Sequence, residues 1–159
     1  MSLLHRIEHP RDALSWEGDM PTLGRYTAGI AGEKFFREIK DNAKFWGTVC
    51  PTCDIVYVPP RLYCERCFAH LSEDDWIEVP STGQVHTFTV LHLDLDGNEL
   101  AEPRLLAFVQ LDGADGGLVH YLDEVAPDQV CIGMPVEAVF KEKAERKGSI
   151  TDIHYFRPI

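Results

Sequence analysis

Two pairs of cysteines carry the clearest chemistry in this chain: Cys50-Pro51-Thr52-Cys53 and Cys64-Glu65-Arg66-Cys67. Two residues inside each pair let both thiolates turn toward one ion, and ten residues separate the pairs. A short hairpin can bring the second pair up to the first and complete a tetrahedron of sulfur. Zinc held by four thiolates at about 2.3 Å is the usual occupant. Protein then fills every coordination position, which leaves no open site for a substrate. The expected role of Cys50, Cys53, Cys64 and Cys67 is therefore a structural staple.

Other candidate groups are weaker. Cys131 lies in the apolar run Val130-Cys131-Ile132-Gly133-Met134 with no sequence-local base to activate it, and reads as a buried structural cysteine. His70 follows the last cysteine by three residues, but four thiols make a fifth ligand unnecessary. His86 and His92 have an even separation, which on a regular strand puts them on one face. His120 and His154 fall in later strands and could line a pocket. Asp94, Asp96, Glu99 and Glu102 suggest calcium at first sight. Their spacing does not fit the ligand frame of an EF-hand loop, so the segment reads as a solvated connection. No phosphate-binding Gly-rich loop and no G-x-S-x-G elbow occurs.

The elements that must position these groups follow from patterning. Residues 1–32 are rich in glycine and proline and read as an irregular arm with weak helical pieces. Phe35, Phe36, Ile39, Ala43 and Trp46 recur at helical spacing, so 33–46 is predicted helical, with its aromatic stripe serving core or interface. Residues 47–71 form the cysteine module, with a short β-hairpin expected through Tyr57, Val58, Pro59 and Pro60. So small a segment cannot bury a useful core, and metal binding, on the order of 10 kcal/mol in zinc-finger peptides, should supply much of its folding energy. After Trp76 the period changes to two. Strands are expected at Gly83–His92, Leu105–Leu111, Leu118–Leu122, Pro135–Phe140 and Ile150–Phe156. Five strands suggest a small closed OB-type barrel, with a five-stranded sandwich as the alternative. The expected class is mainly β with an N-terminal helix. The expected units are an arm and helix over 1–46, a rubredoxin-like zinc ribbon over 47–71 and an OB-fold domain over 72–159.

Composition bounds the function. The 159 residues carry a net charge of −11, and Arg104 is the one basic residue among nine carboxylates between Asp94 and Asp128. Such a surface repels nucleic acid. Basic residues gather elsewhere, at Lys34, Arg37, Lys40 and Lys44, at Arg61 and Arg66, and from Lys141 to Lys147. No apolar run approaches the roughly 20 residues of a membrane span. The N-terminus lacks the apolar core of a secretory signal, and a cytoplasmic location is expected.

Phe45-Trp46-Gly47, the two cysteine pairs around Pro59-Pro60-Arg61, and then Trp76-Ile77-Glu78-Val79, Gly83–Val90, Ala107–Leu111 and Ile132–Glu137 occur in a telling order. The chain resembles, over roughly residues 33–157, the zinc-ribbon/OB-fold proteins that accompany acyl-CoA enzymes. The resemblance implies a non-catalytic accessory subunit with structural zinc. It would assemble as a hetero-oligomer with a thiolase, a hydroxymethylglutaryl-CoA synthase or an acyl-CoA hydratase. The barrel would help to hold CoA or an acyl-CoA, or shape a channel to the partner's active site. The chain is also similar to small subunits of thiolases that cleave 2-benzoylsuccinyl-CoA in anaerobic toluene degradation. Basic residues to meet CoA phosphates would be sought at Arg61, Arg66 and Lys141–Lys147. Two other classes stay open. One is a single-stranded nucleic-acid-binding OB module, with Phe88, Phe108 and Tyr121 as stacking candidates. The other is a rubredoxin-like redox protein with iron in the same four-thiolate site.

Overall fold

A computed structural model describes residues 27–94 and 96–159. The expectation of an irregular arm falls almost wholly outside these residues. Helix α1 spans Gly29–Asn42, so it begins earlier and ends sooner than periodicity predicts. Ala43 stops it in the left-handed conformation, φ 54°, and its amide and that of Lys44 close on the Ile39 and Glu38 carbonyls. Phe45 and Trp46 continue the helical spacing by coincidence; they belong to strand β1, Phe45–Cys50.

Strand β1 is the centre of a three-stranded sheet, flanked by β2 (Ile55–Tyr57) and β3 (Trp76–Val79), both antiparallel to it. The chain then enters a closed barrel of β4 (Thr82–Leu93), β5 (Glu99–Leu111), β6 (Gly117–Leu122), β7 (Pro135–Phe140) and β8 (Ile153–Pro158), ordered β4-β5-β6-β8-β7. β7 pairs with β4 and closes the cylinder, which removes the sandwich alternative. Strand β5 starts at Glu99, six residues before the expected Leu105. The β4–β5 hairpin is therefore longer than alternation suggests, and its first β5 residues are largely exposed.

One apolar core runs through all three parts. Phe35 and Ile39 of α1, Phe45 of β1, and Val85, Val109, Val136, Ile153 and Phe156 of the barrel are all buried in a single cluster. The ring of Phe45 stacks on Phe35 at 6.0 Å, on Phe156 at 6.4 Å, and tilts against Phe140 at 5.3 Å. The helical stripe is thus consumed within the chain. The turn before β6 makes a further link. Asp115 donates its amide to the Val56 carbonyl at 3.0 Å and accepts the Val56 amide on Oδ2 at 2.8 Å, which fastens β2 to the barrel. No helix among the described residues is long and apolar enough to cross a membrane.

Candidate metal centre

Each cysteine pair sits in a tight turn, and the two turns share a geometry. The Asp54 amide donates to the Cys50 carbonyl at 2.8 Å, and the Phe68 amide donates to the Cys64 carbonyl at 2.9 Å. Both turns need a left-handed residue just after the second cysteine. Asp54 has φ 55° and Phe68 has φ 61°. Aspartate tolerates this conformation, whereas a bulky side chain there costs about 1–2 kcal/mol.

The two turns face each other. The Sγ atoms of Cys50, Cys53, Cys64 and Cys67 all lie within 4.8 Å of one another, and Cys50 Sγ is 3.6 Å from Cys67 Sγ. A zinc tetrathiolate with bonds of about 2.3 Å has sulfur–sulfur edges of about 3.8 Å. The thiols therefore fit one zinc ion. Cys50 and Cys64 are buried, Cys53 is half-buried, and Cys67 is exposed. His70 takes no part; its ring packs edge-on against Tyr63.

A small shell holds the thiols. Tyr57 and Leu71 are buried with Cys50 and Cys64, and Ile55 and Ala69 pack on them. Tyr57 reaches this position because β1 passes closely beneath it: a Cβ on Gly47 would sit 2.6 Å from the Tyr57 carbonyl oxygen. The Tyr57 hydroxyl lies 3.2 Å from Cys64 Sγ, and the Arg66 amide donates to the same sulfur at 3.4 Å. The tyrosine hydrogen bond, opposed by burial, holds the Cys64 thiol down to about 6. The same contact pushes the Tyr57 hydroxyl up to about 12. The neighbouring Cys67 thiol and burial push Cys53 up to about 12, and burial raises Cys50. The buried Thr48 hydroxyl accepts the Arg61 amide at 3.0 Å and fixes the chain between the turns.

Away from this centre several expectations are revised. Cys131 is exposed. It lies in a turn whose Met134 amide donates to its carbonyl at 3.2 Å, and Val130 takes the buried place. The even spacing of His86 and His92 does not place them on one regular face. Pairing steps from Val85–Val109 to Thr87–Phe108, so His86 is the extra residue of a bulge, and a second irregularity falls between Leu91 and Leu93. His120 is half-buried; burial lowers its basicity, and its Nδ1 has no partner among the described residues. Asp94 folds back on its own turn, accepting the Asp96 and Asn98 amides at 2.9 and 2.8 Å.

Part of the basic clusters is neutralised at home. Lys34 pairs with Glu38, Lys44 with Glu78 and Arg61 with Glu65. Arg146 spans two of the clusters, donating to the Lys141 carbonyl at 2.6 Å and to the Lys40 carbonyl at 3.4 Å. Arg37, Lys40 and Gly148 line a cleft of about 730 Å³ there. Another cleft of about 500 Å³ lies at the end of the barrel, where Leu105, Val125, His154 and Tyr155 surround Arg104 stacked on Tyr121 at 4.2 Å.

Sequence reasoning missed Asp152. This carboxylate is buried, and it accepts the backbone amides of Lys147, Gly148 and Ser149 at 2.7–3.2 Å. Burial alone would raise its pKa, but these donors and nearby Lys141 hold it below the usual range. The one available signal was Gly148-Ser149 three residues before an aspartate, the pattern of a capping box.

Two family models match successive parts of the chain. The rubredoxin-like zinc ribbon domain of ChsH2 matches residues 37–72, and the ChsH2 C-terminal OB-fold domain matches residues 76–141. A DUF35 domain-containing scaffold protein of Methanocaldococcus jannaschii is 32% identical over 126 residues, covering 78% of this chain and 88% of that protein. The chain belongs to the DUF35 family. Another DUF35 domain-containing scaffold protein, from Pyrococcus furiosus, is 28% identical over 128 residues, covering 79% of this chain and 91% of its own. A DUF35 protein of unknown function from Sulfolobus solfataricus superposes with a TM-score of 0.60 at 27% identity, covering 82% of this chain and 84% of that one. The Ltp2-ChsH2(DUF35) aldolase shares the fold, with a TM-score of 0.59 at 24% identity over 84% of this chain and 98% of that one. The zinc-ribbon match and the clustered thiols together support a structural zinc.

Proposed function

We propose that this chain is a non-catalytic accessory subunit of a thiolase-type acyl-CoA enzyme, with zinc ligated by Cys50, Cys53, Cys64 and Cys67. The carrying observation is the closed thiol cluster: four sulfurs face one point and leave no coordination position for substrate. Zinc here would lock the two turns together; the acyl chemistry would belong to the partner. The relatives support this reading, since two of them are named as scaffold proteins. A protein of similar fold is named together with Ltp2 as an aldolase. In this reading the thiol turns are the zinc staple, and the barrel that begins at β4 meets the partner and its CoA thioester. The substrate class extends to 2-benzoylsuccinyl-CoA thiolysis, and the complex would work in the cytoplasm.

The test is purification of the native complex at moderate salt, followed by identification of the co-purifying subunit. A thiolase-type or other acyl-CoA enzyme recovered in fixed ratio is expected. Recovery of this chain alone would count against the proposal.

A further inference from the structure

Phe68 occupies a position that folding alone does not explain. The second cysteine turn needs a left-handed residue there, and the matching residue of the first turn, Asp54, suits that conformation. Glycine or asparagine would suit it too. Phenylalanine does not, because its β-carbon crowds the next carbonyl oxygen and it has no short polar group to hydrogen-bond the local backbone in return. Packing offers no compensation, since Phe68 is 79% exposed. Tyr63, 60% exposed, immediately precedes the same turn, bridged to His70. Arg66, also exposed, has no ion-pair partner among the described residues.

We infer that this turn is the anchor by which the chain grips its enzyme subunit. The Phe68 ring enters an apolar pocket on that subunit, Tyr63 packs beside it, and Arg66 meets a carboxylate at the rim. The inference rests on the accessory-subunit reading above. Aromatic residues and arginine are the types in which binding energy concentrates. Two exposed rings offer roughly 300 Å², far below the about 800 Å² per partner of a stable interface, so the turn is an anchor within a larger contact. A second copy of this chain is a poor occupant on the ground of charge. Copies of net charge −11 repel each other. An unpaired arginine on so acidic a chain is complementary to an acidic rim elsewhere. By contrast, the exposed Val119 and Tyr121 stand on the regular strand β6, and Arg104 already stacks on Tyr121.

The test uses the full chain with the thiolase-type subunit that co-purifies with it. Phe68→Asn should keep one zinc per chain and melt no lower than wild type, because asparagine accepts the left-handed backbone. Its affinity for the enzyme subunit, measured by calorimetry, should fall at least 30-fold. Ile132→Asn, at a residue 71% exposed elsewhere, should change affinity less than twofold. Placing p-benzoylphenylalanine at position 68 should crosslink this chain to the enzyme subunit. Wild-type affinity in Phe68→Asn, or a crosslink to a second copy of this chain, overturns the anchor. If wild type binds no acyl-CoA enzyme at all, the accessory-subunit reading is what fails.

Discussion

Replacing Tyr57 with phenylalanine removes one hydroxyl from the metal centre and leaves the packing in place. Tyr57 is 6% exposed, and its ring fills the space between Leu71 and the buried thiols, where phenylalanine has nearly the same shape. The lost contact is the 3.2 Å hydrogen bond to Cys64 Sγ. A hydrogen bond to a charged acceptor contributes about 1.5–3 kcal/mol, and the sulfur here is a thiolate in the metal-bound state. Expressed as affinity, that is roughly 10- to 100-fold, the range for groups that orient metal ligands without touching the metal. The assay is competition for zinc with a chromophoric chelator at neutral pH, with circular dichroism at saturating zinc as a control for folding. Tyr57→Phe should fold normally when saturated and release zinc at a correspondingly lower chelator concentration. Equal zinc affinity in the two proteins would show that the hydroxyl does not orient the sulfur and would refute the reasoning.

Four further outcomes are expected. Cys50→Ser should lose metal, ribbon structure and partner binding together; normal assembly without metal would sink the staple reading. The purified protein should be colourless with one equivalent of zinc, whereas a red, visibly absorbing protein would indicate iron. Asp152 has a depressed folded pKa, so its stabilisation is complete above the unfolded carboxyl pKa of about 3.9 and vanishes as pH falls through the folded value. Asp152→Asn should flatten that acid limb in a melting-temperature profile, and an unchanged limb would count against it. Phe45→Ala should cost about 3–5 kcal/mol in denaturant unfolding and still give a single transition; a change under 1 kcal/mol would deny the ring its central place in the core.

What could be read in the chain followed the range of the interactions concerned. The cysteine pairs were legible because two-residue spacing is a local requirement of tetrahedral sulfur. The barrel strands were legible because alternation is local too. Strand β1 was not, because Phe45 and Trp46 continue a helical spacing and only the left-handed Ala43 breaks it. The exposure of Cys131 and the bulge at His86 depend on pairing with distant strands. Asp152 needed the loop before it to close on itself. The contrast between Asp54 and Phe68 emerged only when the two turns could be compared as shapes.

The ribbon and the barrel match separate family models, but among the described residues a single core joins them. Phe45 is gripped from both sides, and Asp115 fastens β2 across the join. On the accessory-subunit reading, a partner that grips the ribbon tip would therefore also fix the bearing of the barrel. The chain would then act, on that reading, as a gauge block, setting the angle at which the barrel meets that partner.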